Sequence, residues 1–230
     1  SKNFLDFITG FYTRRIQRLI PALIFFILGT SILISLFNPS PEIPLRTAVA
    51  SLLGVSNIWL YIDSISYFAN STLYDPFTHT WSLSLEEQFY FIFPFFIWFS
   101  GFGKHIAKGA RNLMIWLIIV STISIIIFYF LYPINQPAAY FLLPGRFWEM
   151  SLGCFVFIAL QKKHLFIDIA EKLSPELIFL GIIAIMYLPI EFAVQSTILV
   201  VLLSSILLIS LSKNSILYNL FINPKVLFLG

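Results

Sequence analysis

Three polar clusters interrupt an otherwise apolar chain, and their residue types and spacing suit anion binding and acid–base chemistry. The first is Arg14-Arg15-Ile-Gln-Arg18. Steps of three and four residues put Arg15, Arg14 and Arg18 on one face of a helix. Guanidinium groups hold phosphate in a bidentate fork that Lys cannot form. A helix starting at Pro21 would add the positive end of its dipole to that site. The same cluster also suits a plain topology anchor against lipid headgroups. The second cluster is His79-Thr-Trp-Ser-Leu-Ser-Leu-Glu86-Glu87-Gln88-Phe89-Tyr90. Steps of four align Ser82, Glu86 and Tyr90 on one stripe. Ser84 and Glu87 have the spacing of a capping box, each satisfying an orphan backbone N–H at a helix start. Glu86 is then the carboxylate left to orient a histidine, act as a base or receive an arginine. Capping plus an interfacial aromatic belt, with Trp81 and Tyr90, would explain the segment without chemistry. The third cluster is Pro144-Gly-Arg146-Phe-Trp-Glu149, where Arg146 and Glu149 share a helix face. They form either a self-neutralising structural pair or a site in which one of them meets a substrate or the second cluster.

These residues have to be positioned by membrane helices. Of 230 residues, 59% are hydrophobic and 11% charged, and mean hydropathy is +0.90. Soluble domains carry about 25% charged residues, so a soluble enzyme and a disordered chain are both excluded. The apolar runs are continuous rather than alternating, which excludes a transmembrane barrel. Seven candidates stand out: 21–37, a weaker 45–61, then 84–102, 113–132, 138–160, 177–190 and 198–211. The expected fold is an all-α polytopic transmembrane bundle of about six to seven membrane segments. The net charge of +3 reads as cytoplasmic loops and not as nucleic-acid binding. Putting the basic segments 1–18, 103–111, 161–172 and 213–225 inside works only if 45–61 does not cross fully. That segment is then re-entrant or lies with 62–80 on the outer side, and a re-entrant stretch implies a polar cavity. This topology puts His79 on the outer side. His105 and His164 read as solvated loop residues. The single Cys154 allows no intrachain disulfide and no multi-cysteine metal site, and reads as a small buried hydrophobe.

In this order, the clusters resemble the family-3 membrane acyltransferases of bacteria, which O-acylate cell-surface sugars and peptidoglycan. Phe11-Tyr-Thr-Arg-Arg-Ile-Gln-Arg-Leu-Ile-Pro-Ala-Leu23 is similar to the family's arginine motif. The segment from His79 to Tyr90, continuing to Pro94, is similar to its most distinctive motif. Arg146-Phe-Trp-Glu149-Met-Ser-Leu-Gly153 is similar to its Arg-x-x-Glu-x-x-x-Gly segment. Asn223-Pro-Lys-Val-Leu-Phe-Leu-Gly230 is similar to the lead-in to its last core helix.

The resemblance implies a multi-pass protein of the bacterial inner membrane. It would move an acyl group, acetyl by family analogy, from cytoplasmic acyl-CoA to a hydroxyl of an envelope carbohydrate. Lipid A, O-antigen, exopolysaccharide and peptidoglycan all stay open as acceptors. Arg14, Arg15 and Arg18 would hold the CoA phosphates. Glu86 or Glu149 would orient the catalytic base, and Arg146 would stabilise charge on the thioester oxygen. His79, Trp81, Ser82, Glu87 and Tyr90 would serve acceptor contact or structure. No metal is implied. In the family, one or two helices precede the arginine motif, and the first carries a histidine thought to be catalytic. The chain therefore reads as a partial acyltransferase domain over 1–230, without those helices, the last core helix or a soluble domain, and inactive alone.

Two other classes compete. A proton-coupled transporter or flippase of envelope precursors would also use intramembrane Arg and Glu, but would not need acyl-CoA. A structural subunit would tolerate Lys at positions 14, 15 and 18.

Overall fold

The computed structural model describes residues 4–65, 75–101, 106–162, 172–211, 215–224 and 226. His105, His164, the middle of the 62–80 stretch and most of the 161–172 loop lie outside the described residues. The described chain is helical, without strands, and divides into two compact units, Ser1–Met150 and Ser151–Gly230.

In the first unit, α1 (Phe4–Phe37) is one continuous helix of 34 residues, about 50 Å long. The sequence expectation of a span beginning at Pro21 is corrected, because Pro21 lies inside this helix. The arginines therefore ride on the body of α1, ten or more residues past its start at Phe4. The charge-free stretch 19–37 is about 28 Å long, enough for the hydrocarbon core, so Arg18 marks its edge. The helix ends where Asn38 precedes Pro39, a position that disfavours helical backbone. Asn38 Oδ1 accepts the Ser40 N–H at 2.9 Å and turns the chain.

The 45–61 stretch is not one helix. It is divided between α2 (Glu42–Leu52) and α3 (Ser56–Ile65), of 11 and 10 residues. Either length covers about 16 Å, roughly half the hydrocarbon core. The break is a Schellman motif around Gly54, whose φ is +68°. Gly54 N–H donates to Ser51 O at 3.1 Å and Val55 N–H to Ala50 O at 2.9 Å.

Helix α4 (Thr80–Phe99) starts four residues before Ser84, which overturns the capping-box reading. Its entry is instead a turn in which Asp75 Oδ1 accepts the Phe77 N–H at 2.9 Å, and Thr80 Oγ1 donates to Phe77 O at 2.7 Å. Ser84 and Glu87 are then ordinary i, i+3 neighbours within a helix. Helix α5 (Ile106–Ile134) follows, and Asn135 caps the short α6 (Gln136–Phe141) by accepting the Ala138 N–H at 3.1 Å. After one extended residue, Leu142, comes α7 (Leu143–Lys162), whose first turns belong to this unit. Leu23, Ile27, Ile34, Ala48 and Phe77 form a buried core cluster joining α1, α2 and the α4 entry.

In the second unit, α8 (Pro175–Met186) and α9 (Ala193–Ser210) pack together through a turn that includes a short 3-10 helix, Ile190–Phe192. Ser174 caps α8, and Ser215 caps the short α10 (Ile216–Phe221). Among the described residues, four helical stretches are long and apolar enough to cross a membrane: Phe4–Phe37, Lys108–Ile134, Gln136–Ile158 and Ile190–Ser210. With the shorter apolar helices, they make a polytopic membrane helical protein.

Candidate functional site

The site is built on α1 and α4, which run antiparallel. Ring contacts give the register. Phe4 lies at 4.6 Å from Trp98, Phe11 at 6.5 Å from Tyr90 and Phe26 at 5.9 Å from Phe77. One hydrogen bond pins it, from Tyr12 OH to Phe91 O at 2.9 Å. Aromatic residues clustered at both ends of the seam explain the pairing, Phe4, Phe11 and Tyr12 against Tyr90, Phe91, Phe95 and Trp98 at one end and Phe26 against Phe77 at the other.

The structure brings the first and second clusters together at Arg15 and Tyr90. The Arg15 guanidinium carbon sits 3.5 Å from the centroid of the Tyr90 ring and 5.7 Å from that of Phe11. Arg15 is half-buried, whereas Arg14 and Arg18 are exposed. None of the three forms an ion pair among the described residues. Three like charges within about one helical turn repel one another, and nothing described in the chain offsets them.

The second and third clusters meet at the other end of α4. Arg146 is buried and pairs with Glu149 on the same face of α7. Its Nε donates to Tyr140 O at 3.2 Å. Three rings surround its guanidinium, Tyr140 at 4.8 Å, Phe128 at 5.7 Å and Trp81 at 5.8 Å. Trp81 in turn packs on Tyr140 at 4.6 Å and Phe141 at 5.8 Å. Arg146 is thus paired internally and touches the second cluster. Ser124 secures the start of α7, donating to Pro144 O at 2.6 Å and accepting the Trp148 N–H at 3.2 Å.

Tyr90 lies nine residues after Trp81 on α4, so the two arginine sites stand about 14 Å apart along the helix. His79 is exposed and its ring meets Phe26 at 5.2 Å. Phe26 lies about 12 Å along α1 from Arg18 and about 17 Å from the helix end at Phe37. His79 and Trp81 therefore stand beside the middle of the apolar run of α1, which corrects the expectation that His79 lies on the outer side.

Ser82 and Glu86 are exposed on the stripe that ends at Tyr90, and Glu86 has no ion pair among the described residues. Ser82 Oγ bonds back to His79 O at 3.2 Å. Glu87 faces the α2–α3 turn, where its carboxylate fills the space that a side chain at Gly54 would need.

Sequence reasoning singled out neither Asn57 nor Gln88, and both are central. Gln88 Nε2 donates to Asn57 Oδ1 at 2.7 Å and to Gly54 O at 3.2 Å, while Asn57 Nδ2 donates to Phe141 O at 3.0 Å. A second ladder joins Ser51, Thr80, Ser56 and Ser84, with Ser51 Oγ and Thr80 Oγ1 2.6 Å apart and Ser56 Oγ and Ser84 Oγ 2.7 Å apart. These bonds fasten the broken α2–α3 pair onto α4. The available signal was the set of small polar residues, Thr47, Ser51, Ser56 and Asn57, within an otherwise apolar stretch.

A family model described as "Acyltransferase domain" matches residues 5–227. The O-acetyltransferase OatA of Staphylococcus aureus is 36% identical over 176 residues, covering 75% of this chain and 28% of that protein. The putative peptidoglycan O-acetyltransferase YrhL of Bacillus subtilis is 32% identical over 164 residues, covering 70% of this chain and 25% of that protein. The peptidoglycan O-acetyltransferase OatA of Listeria monocytogenes is 42% identical over 88 residues, covering 38% of this chain and 14% of that protein. The chain thus spans about a quarter of the length of the relatives that match most of it. No solved structure matches it.

Proposed function

Since this chain belongs to the acyltransferase-domain family, we propose that it is the membrane part of an O-acetyltransferase of the bacterial cell envelope. It takes the acetyl group from cytoplasmic acetyl-CoA and delivers it to a carbohydrate hydroxyl, with peptidoglycan the first acceptor to test, since its relatives from Bacillus subtilis and Listeria monocytogenes are named for peptidoglycan. The observation that carries this reading is the pair of arginine sites about 14 Å apart along one helix. One is open, without an ion pair among the described residues, at the edge of the apolar run, and the other is enclosed at mid-depth.

The roles follow from chemistry. Acetyl-CoA joins a polyanionic nucleotide to a thioester through a long extended arm. Arg14, Arg15 and Arg18 hold the phosphates at the inner membrane's cytoplasmic edge, by bidentate charge-assisted hydrogen bonds. The arm runs along α4 toward Trp81 and Arg146. There the acceptor hydroxyl oxygen attacks the thioester carbonyl carbon and gives its proton to a base. Negative charge collects on the carbonyl oxygen, and then the carbon–sulfur bond breaks and the CoA thiolate leaves. Arg146 is the cation aimed at that developing charge, in surroundings where its field is weakly screened. Glu149 positions the guanidinium by its ion pair. Glu86, exposed and without an ion pair among the described residues, is the carboxylate free to orient the base. His79, Trp81 and Ser82 line the acceptor's side of this path.

The test is label transfer from radiolabelled acetyl-CoA into carbohydrate, in vesicles carrying the protein in its full-length natural form. The reading expects transfer that falls at least tenfold in Arg146→Lys, which keeps the charge but loses the planar fork. Absence of transfer from any acyl-CoA by well-inserted protein would overturn it in favour of transport.

A further inference from the structure

We infer that Tyr90 is a positioning residue for the donor site: its ring holds the Arg15 guanidinium flat, so that the edge N–H groups stay aimed at the donor's phosphates. This rests on the reading of the arginines as the CoA-phosphate site. The sequence reading grouped Tyr90 with acceptor contact or structure, on the strength of its place in the second cluster.

Geometry supports the inference at three points. The guanidinium carbon is 3.5 Å from the Tyr90 centroid, which is stacking distance, so one face of the cation is covered by the ring. Phe11 stands at 5.7 Å and meets Tyr90 edge-on at 6.5 Å, forming a two-ring cradle from α1 and α4. The arginine has no carboxylate partner among the described residues, so stacking restrains it without using up its charge. A guanidinium donates hydrogen bonds in its plane and stacks through its face, and the two do not compete. A carboxylate partner would have competed for the same N–H groups. Tyr90 is itself anchored, because the next residue, Phe91, accepts the Tyr12 hydroxyl at 2.9 Å and fixes α4 against α1 one turn from Arg15. The register that places Tyr90 under Arg15 therefore also sets how far Trp81 and Arg146 stand from the phosphates.

The experiment replaces Tyr90 with phenylalanine and then with phenylalanines carrying one, two and three ring fluorines, in the full-length protein in vesicles. Each fluorine drains the ring face of negative charge while nearly preserving its shape, so packing stays constant as the cation–π attraction fades. KM for acetyl-CoA and kcat are measured for each, alongside Arg15→Ala and Arg18→Ala. Tyr90→Phe is expected to keep the parental KM within about twofold. KM then rises stepwise to about tenfold at three fluorines, the scale of one cation–π contact, with kcat little changed. In Arg15→Ala the fluorine series is expected to be flat. A flat series in the parent, with Arg15→Ala still raising KM, overturns the inference and leaves the phosphate site standing. A collapse of kcat in Tyr90→Phe also overturns it, because the hydroxyl and not the ring is then what matters. No change of KM in either Arg15→Ala or Arg18→Ala overturns the phosphate reading itself.

Discussion

Arg146 has its charge answered inside the fold. Glu149 pairs with it, the Tyr140 carbonyl accepts from its Nε, and three rings enclose it. Among the described residues, Arg15 has aromatic faces and no carboxylate beside it, with two exposed arginines within one turn. The same residue type therefore does two jobs. A paired, buried cation gives a fixed field and a fixed place, and it is poor at capturing a mobile polyanion because its partner already competes. An unpaired, stacked cation is held in orientation while its hydrogen-bonding edge stays vacant. Rings flank both arginines, so the contrast teaches that the acceptor beside the guanidinium, Glu149 at Arg146 and none among the described residues at Arg15, sets which is a scaffold and which is a receptor.

The strongest way to break the contrast is to remove the buried arginine. Arg146→Met leaves Glu149 largely buried without its partner and is expected to cost about 3–5 kcal/mol. This should appear as a lower Tm of the detergent-solubilised protein. The double change Arg146→Met, Glu149→Leu is expected to restore most of that Tm and none of the acetyl transfer. Equal Tm for the single and double variants would show that the pair is not a unit.

Two smaller tests probe the support behind the open site. Gln88→Leu strips Asn57 and Gly54 O of a partner and is expected to cost about 1–3 kcal/mol. Gly54→Ala forces a Cβ into a left-handed position, at about 1–2 kcal/mol, and into the Glu87 carboxylate as well. Adding Glu87→Ala should recover the part due to contact and leave the backbone part. Both are read by chemical or thermal unfolding in detergent.

The smallest effect lies in the second unit, which carries no such polar cluster among its described residues. Glu176 accepts the Ile216 N–H at 3.0 Å and the Ser174 hydroxyl at 2.8 Å, joining the starts of α8 and α10. Its own backbone N–H and the Ser174 hydroxyl hold its carboxyl below the usual range. A depressed carboxyl stabilises the fold above its unfolded pKa, and that contribution is lost as pH falls through the folded one. Amide exchange at Ile216 should therefore quicken, relative to its intrinsic rate, only below the ordinary glutamate range. In Glu176→Gln that pH dependence should vanish.

The sequence exposed the three clusters and the membrane class because both depend on residue type alone. It misplaced the first span because arginines end a hydropathy run without ending a helix, and α1 continues through them. It misread Ser84 and Glu87 because the i, i+3 spacing of a capping box is also the spacing of any two residues on one helix face. That 45–61 does not cross fully was legible from the placing of the basic loops, but its cause at Gly54 needed backbone dihedrals. Tyr90 under Arg15, and Trp81 beside Arg146, were not legible, because the register of two antiparallel helices is set by ring packing across the seam.

The central claim is that the open arginines, and not the paired one, recognise the donor's phosphates. The most direct measurement compares inhibition of acetyl transfer by CoA and by pantetheine, which lacks the nucleotide phosphates. The account predicts that CoA binds far more tightly than pantetheine in the parent and in Glu149→Gln. In Arg15→Lys, Arg18→Lys that advantage should collapse. An undiminished CoA advantage in the arginine double variant, or an equal collapse in Glu149→Gln, would contradict it.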